Sequence, residues 1–346
     1  MTLPDTMTAL VQKHEGYSSQ HSGNVLEAMG PYVEEASVAV PSPGASQVLI
    51  KVKLAAVNPS DVMFIKGLYG QSRQQGQPAG FEGVGEVVAA GDGPEAQALA
   101  GKRVAFAAGR SGWGSWAQYA VAEAAACYEL RPDLRDEDGA AMVVNPLTAL
   151  AMLDLVKEEG EKSFILTAGA SQLCKLLIAA AHDAGLRPIA VVRRDDQIPL
   201  LQKLGAAHVV NADRPGFSRQ MKELCQAEGP RVMLDAVTGP QAAAIFHVMG
   251  RGARWVIYGR LDASETTIRE PGQLIFMHKR IEGFWLVEWM RRVTPERRAA
   301  VVAEAQQRFA DGRWKTDVTA VVPLKDAMRR VPEELAKPNG KVFIAP

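Results

Sequence analysis

Cysteine is scarce: three residues in 346, Cys127, Cys174 and Cys225, odd in number and far apart. That excludes a disulfide framework and leaves no paired-cysteine spacing of the kind that holds zinc. The six histidines fall at no HxxxH spacing either, so no metal is expected. An excess of one charge is also lacking. Lys and Arg total 39 and Asp and Glu total 39, which removes the field that would recruit nucleic acid or an anionic membrane. No apolar run reaches the ~20 residues of a membrane span, and residues 1–30 lack the basic start and apolar stretch of a secretory signal. The expectation is a cytoplasmic protein whose partner is a small-molecule substrate, with neither nucleic acid nor membrane involved.

What is present describes an ordinary folded chain, 47% hydrophobic and long enough that two domains are expected. The first third is rich in strands and glycine. Residues 8–11 and 33–40 read as short strands ahead of the turn Pro41-Ser42-Pro43-Gly44, and 47–54 is the strongest strand of this part. It leads into Ala55-Ala56-Val57-Asn58-Pro59-Ser60-Asp61, where Pro59 holds Asn58 extended and Ser60 or Asp61 can cap a short helix over 62–66. Strands follow at 81–91 and 101–106, and Gly112 begins a turn that runs into another strand ending at Val121. From Asp136 the character changes. Residues 138–156 are rich in Ala, Leu and Met, a helical linker interrupted at Asn145-Pro146.

The most organised stretch is 163–194. Phe164, Ile165 and Leu166 form a short apolar run, as a strand buried on both faces of a parallel sheet does. Leu173, Leu176, Leu177, Ala180, Ala181 and Ala184 then recur at helical spacing, Gly185 closes the helix, and 188–192 supplies a second strand. Further on, helices at 198–204, 218–227 and 241–248 alternate with strands at 208–210, 232–237 and 254–259. This is the α/β pattern of a doubly wound parallel sheet, with its ligand crevice at the carboxyl ends of the strands. Asp235 falls at such an end, where a carboxylate caps the following turn. Residues 279–286 read as one more strand, 295–309 as a charged helix, and 319–323, 324–331 and 341–344 as strand, helix and strand.

Between the strand and helix of 163–194 lies Thr167-Ala168-Gly169-Ala170-Ser171-Gln172-Leu173-Cys174, where a dinucleotide fold carries its glycine fingerprint. Only Gly169 is a glycine; Ser171 and Cys174 fill the other two places. Small residues still serve, because pyrophosphate is held mainly by backbone N–H groups at a helix N-terminus. The alternative is an ordinary βαβ turn without a ligand. The second strand ends in Arg193-Arg194, where an NAD-binding chain has a carboxylate for the ribose hydroxyls. An arginine there pairs with a 2′-phosphate, which favours NADPH over NADH. The alternative is a solvated pair answering Asp195 and Asp196.

The order of these parts resembles the medium-chain dehydrogenase/reductase superfamily across nearly the whole chain. The broad signatures are Val57-Asn58-Pro59-Ser60-Asp61, Phe81-Glu82-Gly83-Val84-Gly85-Glu86-Val87 and Asn339-Gly340-Lys341-Val342. The resemblance implies a GroES-like β-rich catalytic domain, 1–140 with 280–346, and a Rossmann domain for NADPH, 141–279. Where zinc members carry a ligand cysteine and a ligand histidine, this chain has Pro59 or Ser60 and Phe81, so it is similar to the zinc-free reductases. Gly67-Leu68-Tyr69-Gly70, Val144-Asn145-Pro146-Leu147-Thr148-Ala149, Val191-Val192-Arg193-Arg194-Asp195 and Gly283-Phe284-Trp285-Leu286 resemble the mitochondrial-type trans-2-enoyl thioester reductases. Quinone oxidoreductases share the first halves of the signatures but more often keep an intact glycine turn.

The resemblance implies Tyr69 and Asn58 as catalytic residues. It implies cofactor contacts from Asn145, Thr148, Gly169, Ala170, Ser171, Gln172, Leu173, Arg193, Arg194, Tyr258, Phe284, Trp285 and Lys341. Phe284 and Trp285 are read as lining an acyl pocket, although aromatics on a strand are more often packing or a dimer seam; Asn145 and Thr148 are read equally as helix-capping residues, and Tyr69 also as a turn aromatic packed on the core. A homodimer is implied. The activity expected is NADPH-dependent reduction of a conjugated C=C bond, with NADPH:quinone reduction second and a non-catalytic NADPH-binding role third.

Overall fold

A computed structural model describes residues 3–19, 23, 25–108, 113–337 and 340–346; Gly112 and Asn339 lie outside the described residues. The chain divides into two compact units, residues 1–144 with 302–346 and residues 145–301.

The first unit is organised around the strand Gln47–Val57. It pairs antiparallel with Glu82–Ala90, Tyr119–Glu123 and Lys341–Ala345, and the seven-stranded sheet continues to Val318–Pro323 on one side and to Arg103–Ala107 and Cys127–Glu129 on the other. Its sequence accounts for the position. Val48, Leu49 and Ile50 are fully buried, Lys51 and Lys53 point out, and residues 54–57 are buried again. Gly85 permits the crossing strand, since a Cβ there would stand 2.2 Å from the Lys51 carbonyl oxygen. A second, two-stranded sheet joins Thr6–Gln12 to Val33–Ala39.

The expected helix at 62–66 starts earlier, as Pro59–Ile65. Asn58 is its N-cap residue and Pro59 takes the first helical position, where the missing N–H is harmless. Asp61 closes the first turn by accepting the Asn58 backbone N–H at 2.7 Å.

The second unit contains a six-stranded sheet, parallel throughout, in the order His208–Asn211, Arg187–Val192, Ser163–Leu166, Val232–Asp235, Arg254–Ile257, Arg280–Gly283. This is the doubly wound order, and its switch point falls between Ser163–Leu166 and Val232–Asp235. Helices Thr148–Glu158, Gln172–Asp183, Ile198–Lys203, Phe217–Glu228 and Gly239–Val248 intervene along the chain.

Two expectations at the joins are corrected. Residues 280–301 group with the second unit, because Arg280–Gly283 pairs with Arg254–Ile257 and Arg297 makes an ion pair with Asp154. The strand expected over 279–286 is only four residues long, and Trp285 stands at the N-cap position of a helix, Leu286–Arg292. Residues 141–144 group with the first unit, where Glu82 accepts the backbone N–H groups of Val143 and Val144 at 3.0 and 2.8 Å. The break at Asn145-Pro146 is a single π-helical turn, Val143–Leu147, which accommodates a proline that has no N–H to give.

Candidate active site

In the first unit four polar side chains meet where an apolar core would be expected. Asn58, Asp61, Glu82 and Lys341 are all buried. Asn58 Nδ2 donates to Glu82 Oε1 at 2.8 Å, and Lys341 Nζ donates to Asn58 Oδ1. Asp61 accepts from the backbone of Asn58 on one oxygen and of Phe81 on the other, at 2.7 and 2.8 Å. Burial, reinforced by the Glu82 charge, pushes the Asp61 carboxyl up to about 7. Burial also raises Glu82 above the usual carboxylate range and lowers Lys341 below the usual amine range, although each charge partly offsets the other's shift. Protonating Asp61 leaves Glu82 and Lys341 as a neutral pair, the arrangement that costs least in a buried site.

This cluster underlies Tyr69. Asp61 fixes Phe81, whose ring lies 5.1 Å from the Tyr69 ring and 4.9 Å from that of Phe64. Gly67, at φ +74°, turns the chain between helix and tyrosine, and a Cβ there would meet Arg73 Cζ at 2.6 Å. Arg73 is itself buried and reaches back to three carbonyls, of Gly16, Ile65 and Glu15, at 3.0 to 3.3 Å. The Tyr69 loop is therefore anchored at both ends, and the phenol is partly exposed.

In the second unit the turn 167–171 has the form a pyrophosphate cradle needs. Ala168 is left-handed at φ +48°. Gly169 donates to the Val191 carbonyl at 2.9 Å, and a Cβ on it would approach that of Ala190 to 2.9 Å. Ser171 caps the helix, its hydroxyl accepting the Cys174 backbone N–H at 3.3 Å. Ala170, Ser171 and Gln172 are partly exposed and Leu173 is buried, so small residues and free helix geometry fit an anionic ligand at this end. Cys174 does not open the turn. Its buried thiol, raised by burial, sits 3.5 Å from the Thr167 carbonyl and 3.4 Å from the Tyr258 hydroxyl.

Arg193 is 81% exposed at its side chain and meets Asp213 at 3.3 Å; Arg194 meets Asp196 at 3.2 Å. Both contacts are exposed pairs that a phosphate can displace. Thr148 is buried in the first turn of its helix, and Asn145 is partly exposed in the π-helical turn. Phe284 and Trp285 are partly exposed just after the edge strand.

Three contributors escaped the sequence reading as site-forming residues: Asp61, Glu82 and Arg73. Asp61 and Glu82 are charged residues in an apolar and a glycine-rich setting, which is the signal they offered; Arg73, among Gln and Ser, offered none. Asp235 does more than cap its turn. Fully buried, it accepts from Thr167 Oγ1 at 2.5 Å, from the backbone of Val237 and Thr238 at 2.9 and 3.0 Å, and from Trp255 Nε1 at 2.7 Å. It thereby ties the ends of Ser163–Leu166 and Val232–Asp235, at the switch point, to Trp255 on the next strand. Among the described residues, no group of three or more His, Cys, Asp or Glu is placed to hold a metal ion.

Comparison with known proteins agrees with the fold of the two units. Residues 44–132 match the family model of the alcohol dehydrogenase GroES-like domain, and residues 173–304 match that of the zinc-binding dehydrogenases. A Mesorhizobium loti protein assigned as an NADPH:quinone reductase is 64% identical over 100% of both chains, with a TM-score of 0.96. The mitochondrial 2-enoyl thioester reductase heterodimer Etr1p/Etr2p from Candida tropicalis shares the fold at 20% identity and a TM-score of 0.78, over 99% of this chain and 100% of that one. The mitochondrial enoyl-[acyl-carrier-protein] reductase of Bos taurus is 30% identical over 93% of this chain and 84% of its own length. On these matches and this architecture, the chain belongs to the medium-chain dehydrogenase/reductase superfamily, in the branch of the enoyl thioester and NADPH:quinone reductases.

Proposed function

We propose that the protein reduces the conjugated C=C bond of an enone or enoyl thioester with NADPH, Tyr69 acting as the donor to the carbonyl oxygen. The observation that carries this reading is the Tyr69 loop, anchored by Gly67 and Arg73 and packed on Phe81. When bound, the nicotinamide supplies hydride to the substrate's β-carbon. Charge then develops on the carbonyl oxygen, and a phenol with an ordinary pKa near ~10 donates to it at neutral pH without ionising. A proton at the α-carbon completes the reduction. Asn58 and Lys341, buried and engaged with each other, are positioning residues in this reading. Gly169 to Leu173 hold pyrophosphate, Arg193 and Arg194 hold the 2′-phosphate, and Asn145, Thr148, Tyr258, Phe284 and Trp285 border the rest of the cofactor.

The second reading, NADPH:quinone reduction, is favoured by the assignment of the 64% identical Mesorhizobium loti protein. One assay panel separates the two: NADPH oxidation with an enoyl thioester, a simple enone, a quinone and an aldehyde. Reduction of the C=C substrates is expected; reduction of the quinone alone gives the second reading its place.

A homodimer built along Arg280–Gly283 completes the proposal. Among the described residues this strand has one sheet neighbour, and exposed Ile275, Phe276 and Ile281 lie on or near it. We place the protein in the cytoplasm, where its three unpaired, buried cysteines would remain thiols.

A further inference from the structure

Past the carboxyl ends of Arg187–Val192 and His208–Asn211, in the second unit, Arg193 meets Asp213 at 3.3 Å, Arg194 meets Asp196 at 3.2 Å and Arg214 meets Asp195 at 2.6 Å. Arg193 acts on a second carboxylate as well. Hydrogen bonds from Ser264, and then the Arg193 charge, hold Asp262 below the usual carboxylate range. Asp262 does not come from a neighbouring strand. It follows Arg254–Ile257, which lies on the other side of the switch point from Arg187–Val192. The two charges therefore face each other over the crevice in which a doubly wound sheet takes its ligand.

The local structure fixes that carboxylate in place. Leu261 and Asp262 donate their backbone N–H groups to the carbonyls of Ala236 and Val237, both at 2.9 Å, which draws the segment alongside the turn after Val232–Asp235. Asp262 Oδ1 accepts the Ser264 backbone N–H at 2.8 Å. A Cβ on Gly239 would stand 2.5 Å from Asp262 Oδ2, so glycine there leaves the carboxylate its room. Between Val237 and Gly239, Thr238 adopts φ +66°, a conformation that strains a β-branched residue. Such strain persists only where the surroundings enforce it, and it gathers at ligand sites.

Resting on the 2′-phosphate role given above to Arg193, we propose that Asp262 is a resident counter-ion of Arg193 that the 2′-phosphate replaces. In the free protein the carboxylate draws the guanidinium towards itself, and once the phosphate arrives it repels that anion. Both effects oppose NADPH. NADH makes no claim on Arg193 and is untouched by them. Asp262 is thus a specificity-determining residue that acts against the phosphate and sets how strongly NADPH is preferred.

The test is titration calorimetry of the full chain with NADPH and with NADH. Asp262→Asn keeps an acceptor for Ser264 and removes only the charge. It should tighten NADPH binding by about twofold to fivefold, the range of an exposed ion pair, and leave NADH binding as it was. The gain should shrink as salt is raised from ~0.05 to ~0.5 M. In the Arg193→Ala protein the same substitution should give less than half of that gain. Asp262→Ser, also neutral, serves if the asparagine variant does not fold. A preference for NADPH that neither variant increases, or a gain undiminished in the Arg193→Ala protein, overturns the counter-ion while the 2′-phosphate role stands. Equal affinities for NADPH and NADH in the unaltered protein overturn that role, and the counter-ion with it.

Discussion

The Asp61 carboxylate accepts the Phe81 backbone N–H at 2.8 Å, which ties the first turn of one helix to the aromatic residue that packs on Tyr69. The link runs through a group whose protonation changes near neutrality, so stability and the setting of Tyr69 share a titration.

The sign follows from the shift. Asp61 is raised from 3.8 to about 7 in the folded protein, so between these values the native state holds a proton that the unfolded chain has lost. Its contribution is fully present below the unfolded value and is lost as pH rises towards 7. Glu82, raised by burial as well, acts with the same sign. Urea midpoints measured from about pH 4 to pH 7.5 should fall with rising pH, and Asp61→Asn should flatten part of that slope. Asparagine can accept only one of the two N–H groups, so the variant is also expected to be less stable by about 1–3 kcal/mol at low pH. A slope identical in both proteins would remove Asp61 as the source.

Changing Arg193 and Arg194 to alanine should weaken NADPH binding by about tenfold to a hundredfold, as expected for one charged hydrogen bond of about 1.5–3 kcal/mol, and leave NADH binding nearly as it was. Titration calorimetry with both nucleotides measures this. Equal affinities for the two nucleotides in the unaltered protein would exclude the 2′-phosphate role.

Tyr69→Phe keeps the ring on Phe81 and removes only the hydroxyl. Turnover should drop by about 10²–10³ with little change in NADPH affinity, since the hydroxyl acts on charge present in the transition state. Unchanged turnover in this variant would take Tyr69 out of the mechanism.

Asp235→Ala strips the acceptor from Thr167, Val237, Thr238 and Trp255 at once. A loss of at least about 3 kcal/mol in urea denaturation is expected, because several buried donors are left unmet. A loss under about 1 kcal/mol would mean that these donors find other partners.

The sequence made the second unit legible because its signals are local: the run Phe164-Ile165-Leu166, the helical spacing from Leu173 to Ala184 and the arginines at 193 and 194 all lie within 32 consecutive residues. Residues 280–301 were placed wrongly because Arg280-Ile281-Glu282-Gly283 reads as a strand without saying which sheet it enters. That depends on parallel pairing to Arg254–Ile257. The Asn58–Lys341 contact was invisible for a similar reason, since 283 positions separate its partners.

The insertion of residues 145–301 into the first unit has a consequence for synthesis. Strand Lys341–Ala345 lies between Val318–Pro323 and Gln47–Val57, so an inner position of the seven-stranded sheet is filled by residues synthesised after the whole of the second unit. The six strands of the second unit all come from within 145–301, and that unit can fold while the first waits. During that interval Asp61 and Glu82 have no ammonium partner, and the nascent first unit must keep both carboxyls hydrated or protonated until Lys341 arrives.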